Sequence, residues 1–275
     1  MTCTPFQNAE EAKFLHKLYE KQPAGYIQFQ REGSFILFNF SDKERAIPFI
    51  KYLLLKLITE KKRIEWCRKI LEEQFFYTDQ DEQAEIIQLT CSILDGQREE
   101  IPVKIDRSLI SQRLDYALTD ILEREESFSF EAFHTFQLRF YKESLFYFVE
   151  TALDEYKLEQ EYQSFIYYLR RFLKGRKPRL KKVYLVNSDG FTFYDQNMRE
   201  IKRADLDKHV DRRLLSRHTV YVDSVTIAPL ISIAPEQIYL YTDDPESGII
   251  QTLKNIFEEK LKICSLESFR AENDL

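Results

Sequence analysis

Glycine is scarce in this chain, with six residues among 275, about 2% where an average protein has about 7%. A Walker-type phosphate loop needs glycines at its strand-to-helix turn, and a dinucleotide fingerprint needs three within six positions, because only glycine lets backbone N–H groups approach phosphate so closely. The six glycines, at 25, 33, 96, 175, 190 and 248, are never nearer than eight residues. Both nucleotide cradles are therefore excluded. Cysteine is also sparse. Cys3, Cys67, Cys91 and Cys264 form no C-x-x-C pair and no dense disulfide pattern, so reduced structural thiols are expected. The four histidines, His16, His134, His209 and His218, stand apart. None builds the H-E-x-x-H spacing that puts two metal ligands on one helix face. No G-x-S-x-G nucleophile elbow is present. Catalytic, cofactor and metal residues are accordingly expected to be none.

Long apolar runs are missing as well. The longest weakly charged stretch, 224–242, is broken by Glu236 and two prolines, whereas a membrane span needs about 20 mainly apolar residues. The first residues lack the basic and apolar blocks of a secretory signal. A cytoplasmic protein without a membrane span is the expectation.

What is present is an ordinary globular balance, 44% hydrophobic and 31% charged, enough to fold around a core. The net charge of −6 hides a strong asymmetry. From 170 to 182 there are eight basic residues and no acid, and 170–217 holds 15 basic against six acidic residues. The last 58 residues swing back to four basic and ten acidic.

Periodicity orders the elements. Residues 8–21 place apolar groups at helical spacing. Residues 25–31 and 34–40 read as a hairpin about Glu32-Gly33. Ser41 and Glu44 form a capping box ahead of a long helix over 42–74, and 79–94 is a second helix stopped at Asp95-Gly96. Residues 106–174 contain neither glycine nor proline, which favours helices broken only near 127–130. Within them Phe133, Phe136, Phe140, Tyr147 and Phe148 recur at helical intervals and read as a packing face.

Past Gly175 the pattern changes. Residues 183–194 read as a hairpin around Asp189-Gly190, 205–215 as an amphipathic helix, and 237–242 as a strand. Asp244 is the expected cap of a helix with Pro245 at its first position, 261–266 a last strand, and 270–275 a loose tail. The fold class is α+β: a mostly helical N-terminal part with a small hairpin, then a compact C-terminal α/β part with a short mixed sheet. The expected division is 1–175 and 176–275, with the boundary in the basic stretch 170–182; one continuous unit is the alternative.

The basic run supplies the candidate site. Arg170, Arg171, Lys174, Arg176, Lys177 and Arg179 are candidate polyanion contacts, since cations along a phosphate backbone bind by releasing counterions. A solvated helix end is the competing structural reading. Asp205, Asp207 and Asp211 imitate a carboxylate cluster for Mg²⁺, which would suit a metal-dependent phosphodiesterase or another enzyme acting on nucleic acid. Interspersed Arg203, Lys208, Arg212 and Arg213 favour a solvated helix face instead.

The C-terminal residues carry a resemblance. Residues 224–235 (SVTIAPLISIAP), continuing through 236–241 (EQIYLY), then 249–257 (IIQTLKNIF) and Lys262-Ile263-Cys264, are similar to the closing segment of the YtxC-like family of sporulation-associated proteins of endospore-forming bacteria. Residues 130–139 (FEAFHTFQLR), Tyr141, 159–166 (EQEYQSFI) and Leu169 resemble its central helical block. The similarity covers about 106–266. Departures are Pro229, Tyr241 where some relatives carry histidine, and Ser265-Leu266-Glu267 where relatives often carry further cysteines after the one matching Cys264. The resemblance implies a role in sporulation and transfers no catalytic residue. Together these readings describe a binding protein rather than an enzyme, with a protein partner, nucleic acid or another polyanion as its target.

Overall fold

The computed structural model describes residues 2–5, 9–124, 128–210 and 225–273. It contains two compact units, Met1–Lys157 and Leu158–Leu275. The basic stretch 170–182 belongs to the second.

The first unit begins with β1 (Thr2–Pro5) and α1 (Ala9–Lys21), followed by the expected hairpin of β2 (Ile27–Glu32) and β3 (Phe35–Phe40). Gly33 turns it at φ +62°, where a side chain would be strained. β1 adds antiparallel to β3, giving the order β1-β3-β2. Helix α1 packs on this sheet: Tyr19 stacks on Phe29 at 5.0 Å, and its hydroxyl donates to the Ile27 carbonyl at 2.7 Å.

The long helix expected over 42–74 is three segments. Helix α2 (Lys43–Lys56) passes through a π-helical stretch, Leu57–Lys62, into α3 (Arg63–Gln74). Its cap is Asp42, which accepts from the Arg45 N–H at 3.2 Å, rather than Ser41. Helix α4 (Gln80–Leu94) starts under Asp79, which accepts from the Asp81 and Glu82 N–H groups at 2.9 and 3.0 Å. It stops as expected at Gly96, φ +78°. Helix α5 (Arg107–Arg124) buries Ile110, Leu114, Leu118 and Leu122, a stripe at four-residue spacing.

A short α6 (Phe130–Ala132) runs into a π-helical turn, Phe133–Gln137, before α7 (Arg139–Lys174). The turn corrects the expected aromatic face. Phe133 and Phe148 are buried, Phe140 and Tyr147 half-buried, and Phe136 is 78% exposed. The wider turn and the non-helical Leu138 (φ −100°, ψ 18°) shift the register, so helical spacing no longer keeps Phe136 on the inner side. The core of this unit runs from Ala12 to Leu153, and each fully buried Leu, Ile or Phe contributes about 1.5–3 kcal/mol.

The second unit has its own core, built on Phe165, Ile166, Leu169 and Leu173 of α7. β4 (Lys182–Asn187) and β5 (Phe191–Tyr194) form the expected hairpin, turned at Gly190 with φ +130°. α8 (Arg203–His209) follows; the rest of the helix expected over 205–215 lies outside the described residues. α9 (Ile227–Ile233) is buried at every residue and ends at Ala234 in the left-handed region, φ +47°. β6 (Gln237–Thr242), α10 (Gly248–Phe257), β7 (Leu261–Cys264) and α11 (Leu266–Asn273) complete it.

The sheet order is β5-β4-β6-β7, antiparallel at β5/β4 and parallel elsewhere, the short mixed sheet of an α+β fold. Two local expectations are corrected. Helix α10 starts after Ser247 rather than after Asp244; the Asp244 N–H donates to the Thr242 hydroxyl at 3.1 Å and the Ser247 hydroxyl to the Asp244 carbonyl at 3.4 Å. Residues 266–273 are helical, so 270–273 of the expected tail continue a helix, while 274–275 lie outside the described residues: Phe269 packs against Tyr241 at 5.0 Å, and Asp243 accepts from the Leu266 N–H at 3.3 Å.

Candidate functional site

Since Leu169 and Leu173 face the core of the second unit, the 3.6-residue period turns Arg170, Arg171 and Lys174 outward. They line a cleft of about 740 Å³ together with Tyr167, Lys260, Glu258 and Glu259. Four cations thus meet two carboxylates. Arg170 is already engaged: its Nε donates to the Asn255 carbonyl at 2.6 Å and its Nη2 pairs with Glu258 at 2.9 Å. Glu258 stands at φ 50°, ψ −126°, a conformation that costs an L-residue about 1–3 kcal/mol. Tyr167 is 67% exposed.

Beyond the helix end the run spreads over the surface. Arg176 lies over the Phe172 ring at 3.9 Å, a cation–π contact that fixes the guanidinium direction. The backbone is pinned to the unit, Arg179 N–H to the Ile233 carbonyl at 3.0 Å and Gln237 N–H to the Lys181 carbonyl at 3.0 Å, while the side chains of Lys177, Arg179 and Lys181 are exposed. Among the described residues no ion pair holds Arg171, Lys174, Lys177, Arg179 or Lys181. Of the six candidate contacts, Arg170, Arg171 and Lys174 come together at the cleft. Arg176, Lys177 and Arg179 continue from it along the chain.

The carboxylate cluster does not assemble among the described residues. Asp205 pairs with Lys208 at 2.8 Å, whereas the Asp207 side chain and Asp211 lie outside them. Among the described residues no group of three or more His, Cys, Asp or Glu is arranged to hold a metal ion. The Cys67 thiol is buried and pushed up to about 12, chiefly by loss of solvent; Cys91 and Cys264 are half-buried free thiols. His209 and His218 fall outside the described side chains.

A charged cluster in the first unit had no place in the expectations. Lys62, 6% exposed, donates to Glu11, 1% exposed, and to Glu65, both at 2.7 Å. Next to it Arg63 donates to the Tyr141 hydroxyl at 3.0 Å and to both Asp95 oxygens at 2.8 and 3.0 Å. Lys62 and Lys142 both lie near the Trp66 ring, at 5.8 and 5.0 Å, and Lys142 Nζ is 3.0 Å from His134 Nδ1. Burial, then the charges of Lys142 and Lys62, pull His134 down to about 4. One signal was available: Lys62 follows Leu54 and Ile58 at four-residue steps, on the stripe that enters the core.

Among the described residues no helix is long and apolar enough to cross a membrane. The model of the YtxC-like family matches residues 48–262, a span that takes in the basic run and the cleft. Uncharacterized protein YtxC of Bacillus subtilis (strain 168) is 38% identical over 263 residues, covering 94% of this chain and 92% of its own length. No solved structure matches.

Proposed function

The chain belongs to the YtxC-like family, and from that premise we propose that it is a cytoplasmic, sporulation-associated protein that acts by binding the phosphate backbone of nucleic acid. The observation that carries this reading is the set of exposed cations without ion pairs among the described residues, Arg171, Lys174, Lys177, Arg179 and Lys181, running from the cleft along the surface. Cations already paired to carboxylates have little left to offer a phosphate. Unpaired ones displace condensed counterions, so affinity falls as salt rises. The exposed ring of Tyr167 at the same cleft provides a stacking face for an unpaired base, which favours single strands over duplex. A protein partner is the competing outcome.

The test is fluorescence anisotropy of a short labelled single-stranded oligonucleotide, titrated with the full chain over a range of NaCl. With about four phosphates neutralised, log affinity falls against log salt with a slope near −3, from about −0.7 per contact. The Arg171→Glu/Lys174→Glu variant weakens binding and flattens that slope. Arg170 is left intact, since its partners Asn255 and Glu258 make it a structural strut. Binding indifferent to salt and to charge reversal defeats the proposal. So does recovery from sporulating cells of a nuclease-resistant protein partner with no nucleic acid.

A further inference from the structure

A second cavity, of about 700 Å³, lies within the first unit, in the size range of small-molecule sites. Its ionic lining is almost entirely self-compensated. Arg63 is spent on Asp95 and on the Tyr141 hydroxyl, and Asp115 is held by Lys51 at 2.8 Å. Arg107, at the start of α5, is different. Its Nε and Nη2 are both buried and have no hydrogen-bond partner among the described residues.

Those two atoms are not an arbitrary pair. They lie on one edge of the planar guanidinium, the edge whose parallel N–H groups receive two oxygens of one carboxylate or phosphate. Leaving such donors dry and unpaired is unfavourable. An acceptor held in the cavity relieves that penalty.

From this we propose that the cavity is a binding site for a singly charged organic carboxylate, held side-on by the Nε–Nη2 edge of Arg107. The charge follows from the lining: with Arg63 and Asp115 neutralised by their partners, one positive charge remains. A phosphate dianion would bring a second negative charge toward Asp95 and Asp115 without a second free donor to meet it. The body of the ligand follows from the walls, where Leu55, Leu94, Ile110 and Leu114 suit an apolar tail or ring rather than a sugar. This site involves none of the residues assigned to nucleic acid and stands or falls separately.

Calorimetric titration of the full chain with phenylacetate and with octanoate tests it, using phenylacetamide and octanamide as neutral isosteres. At least one acid binds with one-per-chain stoichiometry, and its amide binds about ten-fold more weakly or worse, the loss expected when a charge-assisted pair is removed. Arg107→Met, which removes the charge, and Arg107→Lys, which keeps the charge but loses the edge, both weaken the acid by a similar factor. Circular dichroism and Trp66 fluorescence confirm that the variants fold, and either variant alone suffices for the comparison. The proposal is overturned if neither acid binds, if an amide binds as well as its acid, or if Arg107→Met binds unchanged. Saturable binding of inorganic phosphate with no binding of the acids overturns the ligand class.

Discussion

Replacing Lys62 with methionine preserves most of the side-chain volume and takes a charged partner away from the carboxylate of Glu11, which is 1% exposed. Its salt-bridge partner at 2.7 Å is gone, and water has little access. Glu65, the second partner, is more exposed and rehydrates. Breaking one side of a buried pair costs about 3–5 kcal/mol. An independent bound comes from proton uptake: neutralising an ordinary glutamate, which titrates near 4.3, costs about 3.7 kcal/mol at pH 7. The two agree, so a loss of about 4 kcal/mol is expected. For a unit of this size that is a fall in Tm of about 8–16 °C. Trp66 is the only tryptophan in the chain and lies 5.8 Å from Lys62, so urea denaturation followed by its fluorescence reads this unit directly. The deficit shrinks toward acid pH, where proton uptake becomes cheaper. In the parent protein the two carboxylates raise Lys62 above its ordinary 10.5 against the opposing effect of burial. Its stabilising contribution is therefore complete below pH 10.5 and fades as pH rises through the higher folded value. Glu11→Leu/Lys62→Met, which removes both charges, returns to within about 1 kcal/mol of the parent. A loss below about 1 kcal/mol for Lys62→Met alone, or a double variant as unstable as the single one, refutes the reasoning.

Two further outcomes follow from buried titratable groups. His134 is pulled down to about 4, so the unfolded chain binds the extra proton first. The stability it supports is complete above about pH 6.5 and is lost as pH falls toward 4, up to about 3 kcal/mol; His134→Asn flattens that part of the urea-denaturation profile, and an unchanged profile contradicts the assignment. Cys67, buried with its thiol pushed up to about 12, resists iodoacetamide at pH 8 in the native state and reacts on unfolding, as mass-spectrometric mapping will show. Rapid native alkylation at Cys67 would mean that the core at α3 opens.

What the sequence by itself determined are the features set within a few residues. Glu32-Gly33 and Asp189-Gly190 carry positive-φ turns and place both hairpins. Asp95-Gly96 stops α4, and the absence of glycine and proline over 106–174 gives the long helical block. The family resemblance was equally legible. Tertiary structure decided what depends on distant neighbours. Ser41 and Asp42 both have the chemistry of a helix cap, as do Asp244 and Ser247; α2 starts after Asp42 and α10 after Ser247. The strand β1, the parallel pairing of β6 with β4 and β7, and the helix at 266–273 exist because a sheet edge or an aromatic surface receives them. No local propensity encodes such a partner. The same holds for the charges. In sequence Lys61, Lys62 and Arg63 are three cations in a row, yet the π-helical stretch takes Lys62 to Glu11 and Arg63 to Asp95 and Tyr141. Arg107 is one arginine among many until folding buries its donor edge beside a cavity. Burial depends on contacts made across long stretches of chain, and it is burial that turns an ordinary surface charge into a candidate site.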